Sequence, residues 1–108
     1  MAQTYDYIGK ELKYAVEITA PGFSIEEDNF KIVLQCGKTQ VELTRPDVII
    51  SEDGVRYIAI DTTWFPKGGT LYAITYAYVP DNDFPDGFRT EIDLQKLTTL
   101  KKLKDGMR

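Results

Sequence analysis

Residues 68–94, reading GGTLYAITYAYVPDNDFPDGFRTEIDL, constrain this chain more than any other stretch. Two extended runs flank a turn of Asp, Asn, Pro and Gly, residue types that accept the backbone angles of a reversal, so the segment predicts an antiparallel hairpin. In its first run Tyr72, Ile74, Tyr76 and Tyr78 alternate with Leu71, Ala73, Ala77 and Val79. Both sets call for cover, as in a central strand of a two-sheet structure.

Further strand signals recur at the spacing of a sandwich or barrel. Leu12, Tyr14, Val16 and Ile18 alternate with polar neighbours before Pro21-Gly22 ends the run. Phe30, Ile32, Leu34 and Cys36 alternate next, and Gly37-Lys38 fits a two-residue turn into residues 39–44. Val48, Ile49 and Ile50 precede Asp53-Gly54, a strong hairpin signal. Ile58 and Ile60 then share one face of a run ending at Asp61, where Asp61 or Thr62 is placed to cap one short helical turn. With residues 70–79 and 88–94 this makes about seven strands, an all-β sandwich over residues 1–94.

Residues 95–108 break the pattern. Leu94, Leu97, Leu100 and Leu103 recur every third residue among lysines, which predicts an apolar stripe on a short helix. Lys96, Lys101, Lys102, Lys104 and Arg108 against Asp105 give this tail a charge of +4; the whole chain carries −4, so residues 1–94 carry −8. An acidic body is a poor nucleic-acid binder, because phosphate neutralisation needs clustered cations.

At 108 residues, 43% hydrophobic and 28% charged, the chain has the size and composition of one globular domain. No apolar run approaches the ~20 residues of a membrane helix, and the N-terminus carries no signal-peptide pattern, so cytoplasmic synthesis without membrane insertion is expected. The absence of histidine and the presence of a single cysteine exclude Ser-His-Asp and Cys-His catalysis and His/Cys zinc sites. Cys36, in phase with Phe30, Ile32 and Leu34, reads as a small core residue. Glu26, Glu27, Asp28, Glu91 and Asp93 supply carboxylates, but as a turn and a strand face rather than a glycosidase pair.

Two kinds of candidate site remain. Asp81, Asp83 and Asp86 offer the spaced carboxylate oxygens a hard cation takes, although the spacing fails the EF-hand pattern and fits a hairpin turn better. Aromatic residues in loops make good contact anchors, which singles out Trp64, Phe65, Phe84 and Phe88. The tail adds Leu97, Leu100 and Leu103 as a second contact.

Across residues 8–94 the order of turns resembles the immunoglobulin-like modules of phage and prophage tails, in particular the N-terminal domain of baseplate upper proteins. The residues that carry the likeness are Ile8-Gly9-Lys10, Asp53-Gly54, Asp61-Thr62-Thr63, Gly69-Thr70-Leu71-Tyr72, Pro80-Asp81 and Asp86-Gly87. The chain departs from that pattern by one extra residue between Gly69 and Tyr72 and by its short tail. The resemblance implies a non-enzymatic structural or adaptor module, of the kind seen in prophage regions of gut Bacteroidetes. It would be incorporated into a virion, would contact other tail proteins or itself, and would need no cofactor, nucleic acid or small-molecule ligand. The alternative is a cell-surface or secreted module binding carbohydrate or protein with help from Ca²⁺ at residues 81–86.

Overall fold

A computed structural model of the chain describes residues 5–103. Its described residues form eight strands and no α-helix: β1 Tyr5–Tyr7, β2 Glu11–Ala15, β3 Phe30–Cys36, β4 Thr39–Leu43, β5 Val48–Ile50, β6 Arg56–Asp61, β7 Gly69–Pro80 and β8 Phe88–Lys101. Five of them make one sheet in the order β1-β8-β7-β3-β4, and three make the other in the order β2-β6-β5. All neighbours run antiparallel except β1 and β8, which are parallel.

The all-β expectation holds, with two corrections to the strand inventory. First, Tyr5-Asp6-Tyr7 is a strand, one more than anticipated. Second, the expected helical tail is the second half of β8, which runs unbroken through residue 94 to Lys101. The anticipated boundary after residue 94 therefore falls inside a strand. Residues 104–108, the end of the anticipated tail, lie outside the described residues.

One core joins the two sheets. Phe30, Ile32, Leu34 and Cys36 of β3 pack with Leu71 and Ala73 of β7, Leu100 of β8, and Leu12, Ile58 and Ile60 of the smaller sheet. Strand β3 buries every second residue without exception, as its alternation demands. Cys36 is a free thiol in this layer, and burial pushes its pKa up, so it stays protonated and behaves as a small apolar side chain.

The reversals follow local chemistry. Gly37 and Gly54 take positive φ at the β3–β4 and β5–β6 turns. Asp61 caps the single turn Thr62–Trp64 by accepting from the Thr63 N–H. At Gly68 a side chain is excluded twice over: φ is +72°, and an added Cβ would sit 2.8 Å from the Leu100 carbonyl oxygen. That close approach brings the start of β7 against the end of β8.

Contacts distant in sequence hold the irregular parts. Buried Thr62 accepts from the Gly9 N–H at 2.8 Å and donates to the Lys10 carbonyl at 2.6 Å, fixing the entry to β2. Arg45 donates to the carbonyls of Ile25 and Asp28 and lies over the Phe30 ring, fastening the acidic turn anticipated at residues 26–29. Asp6 accepts from Thr98 at 2.8 Å and from Lys10 at 2.9 Å, which ties β1 to β8.

Candidate functional site: the open face and edge of the long hairpin

Strands β7 and β8 pair from Pro80↔Phe88 to Gly69↔Leu100, with one irregularity where Tyr72 faces Lys96 but Leu71 faces Thr98. Leu97 is the extra residue of a bulge, and it inverts the phase of β8. Beyond the bulge Thr98 and Leu100 point into the core; before it, Phe88, Ile92 and Leu94 point away from it.

The outward side of the hairpin is consequently apolar. Ile74 faces Leu94 on one side and Val33 on the other; Tyr76 faces Ile92, and Tyr78 faces Thr90. Ile92 and Leu94 are each 63% exposed and Phe88 45%, while Ile74, Tyr76 and Tyr78 are half-buried by their neighbours. Lys31, 3.4 Å from Glu42 and over the Tyr76 ring, borders this surface on the β3 side. On this face exposed and half-buried apolar side chains thus lie side by side across β8, β7 and β3.

The inward side of the same half of β8 is polar: Arg89, Glu91, Asp93 and Gln95. The cover here is the irregular segment between β2 and β3 rather than a strand, and its backbone needs polar partners. Arg89 supplies one by donating to the Pro21 carbonyl at 2.8 Å, and it also pairs with Asp81 at 2.6 Å and Glu91 at 2.8 Å. Between this segment and the hairpin lies a groove of about 280 Å³ whose carboxylates are Glu17, Glu91 and Asp93. A second groove of about 350 Å³, between Phe30, Val48 and Ile50, carries Arg45, Arg56 and Glu26.

The aspartates of the β7–β8 turn are occupied with the turn itself. Asp81 accepts from the Asp83 N–H through Oδ1 and from Arg89 through Oδ2, and Asp86 accepts from the Phe88 N–H. The Asp83 N–H, and after it Arg89, hold the Asp81 carboxyl below its ordinary range. Asp81, Asp83 and Asp86 do not converge on a common point, and no group of metal-ligating side chains forms among the described residues.

The anticipated contact residues do not form one surface. Phe65 is 1% exposed and Leu100 is equally enclosed, so both are core residues and unavailable to a partner. Trp64 stays exposed on the capped turn, edge-on to Phe65, near the start of β7 and thus at the far end of the hairpin from its tip. Phe84 and Phe88 are exposed at the tip. Leu97 packs against the core from the bulge, and Leu103 is half-buried just past β8. Sequence reasoning passed over Ile92 and Leu94, whose alternation was legible but whose side of the sheet was not.

Family models, curated proteins and solved structures offer no match to this chain.

Proposed function

We propose that this chain is a non-enzymatic assembly module, an immunoglobulin-like variant that contacts neighbouring protein subunits through the outward face of its β7–β8 hairpin. The observation that carries the reading is the exposed apolar row Phe88, Ile92 and Leu94, set in register beside Pro80, Tyr76 and Ile74. Aromatic and aliphatic side chains on a rigid sheet lose little conformational freedom on docking, which favours association. The turn pattern quoted above adds the setting, a phage or prophage tail in which the neighbours are other tail proteins or further copies.

The test is to induce the source bacterium, purify any particles released and quantify this chain in them by mass spectrometry. A fixed stoichiometry to the tail proteins is the expected result. Particles that lack the chain, with the chain left in the soluble fraction, would refute the virion setting.

A further inference from the structure

Strand β8 has β7 on one side and, among the described residues, only β1 on the other, where Tyr5–Tyr7 pair with Thr99, Leu100 and Lys101. The β8 edge over residues 88–94 pairs with no other strand among the described residues. It spans about 20 Å, and no backbone hydrogen bond from the described loops is made to it. Apart from the Phe88 N–H, which donates to Asp86, the outward-edge N–H and C=O groups beside exposed Ile92 and Leu94 have no strand partner among the described residues and are a template for another strand.

The edge also specifies which strand. We propose that a second copy of this chain adds its own residues 88–94 antiparallel to them, about a two-fold axis through Glu91, giving one sheet continuous across two protomers. An axis normal to the sheet keeps inward residues with inward ones, so it must pass through a residue and not between two. Centred on Glu91, the pairing sets Arg89 opposite the second copy's Asp93, twice over. On the outward side it sets Phe88 opposite Leu94, and Ile92 opposite Thr90. Only Glu91 meets its own kind, and each Glu91 is already paired with the Arg89 of its own chain. Moving the axis to Ile92 places Glu91 opposite Asp93, acid on acid, and moving it to Thr90 shortens the paired run to residues 88–92. Inward charges ordinarily deter edge pairing; these four select one register.

The edge alone covers about 200 Å² per protomer, from its length and a sheet thickness near 10 Å, well short of the ~800 Å² of a tight interface. The dimer is therefore weak and concentration-dependent. This inference rests on the reading of the hairpin as a contact surface, and it goes beyond that reading in naming the occupant.

A dilution series of the full chain by sedimentation velocity tests it. The mass should rise from one chain at about 10 μM toward two chains at about 1 mM, the range expected of an edge this small. The Ile92→Lys, Leu94→Lys double variant, altered only at exposed positions, should melt as the parent does and stay at one chain throughout. On mild oxidation Glu91→Cys should form an intermolecular disulfide while Asp93→Cys should not, since only residue 91 meets itself; buried Cys36 stands apart from both. A parent chain still monomeric at about 1 mM would overturn the proposal, as would cross-linking through residue 93 in preference to 91. Neither result would touch incorporation into particles, and particles lacking the chain would leave the dimer standing, so the two readings fail separately.

Discussion

Strand β3 buries the same parity of side chain from Phe30 to Cys36, whereas β8 changes parity part-way along, at Leu97. Each alternates, but alternation defines two faces and does not say which one meets the core. On β3 the question never arises, because the opposing sheet lies over its apolar face and a slip would expose all four side chains at once. On β8 the inward neighbour is at first an irregular segment with carbonyls to satisfy, which Arg89 meets, and only after the bulge is it a packed apolar layer that receives Leu100. Cover, rather than hydrophobicity, decides which face of a strand is the inner one.

The sharpest way to break this contrast is to truncate one leucine from each strand. Leu34→Ala removes a fully buried side chain and should cost about 2–5 kcal/mol in denaturant unfolding, while Leu94→Ala should stay within about 0.5 kcal/mol. Comparable losses from the two would mean that the outward face is covered after all. A smaller effect is expected from deleting Leu97. Without the bulge, either Leu100 leaves the core or the outward row turns inward, and forfeiting one buried leucine amounts to about 1.5–3 kcal/mol. A deletion variant of parental stability would show that the phase change is not imposed by that residue.

The smallest effect belongs to the junction of β1 with the far end of β8. Asp6 is held below its ordinary value of 3.8, chiefly by the hydrogen bond from Lys10, with Thr98 contributing a second. A carboxylate with a depressed folded pKa stabilises fully above its unfolded value and loses that contribution as pH falls through the lower folded one. The protection of β1 amides, measured against their intrinsic exchange rates, should therefore fall below about pH 4 while β3 stays protected. Thr98→Val should loosen β1 at neutral pH by about 1 kcal/mol. Uniform acid opening of β1 and β3 together would remove any special role for Asp6.

What could be read in advance follows the range of the forces involved. The turns at Gly37, Asp53-Gly54 and Asp86-Gly87 were legible because their chemistry is contained in two to four residues, and β3 because its period is unbroken. The leucines at 94, 97 and 100 were misread because a step of three matches a helix, whereas here it carries the strand from its outward face, through a bulge, to its inward one. Strand β1 was missed because three residues are too few to display a period. Phe65 and Leu100 look like contacts in the sequence because burial is a property of what lies opposite, and Arg45, Thr62 and Arg89 reach partners far along the chain that no local pattern can reveal.

The parallel pairing of β1 with β8 has a mechanical side. The chain enters along β1 and departs along β8 in the same direction, with Tyr5 beside Thr99 and Tyr7 beside Lys101. Tension applied through Tyr5 and Lys101 would pull the two strands past one another along their length, loading the bonds of all three residue pairs together in shear. Antiparallel strands joined the same way would instead peel apart one bond at a time. A domain strung between neighbours would on this account resist a pull with a seam only three residues long, closed by the Asp6–Thr98 hydrogen bond.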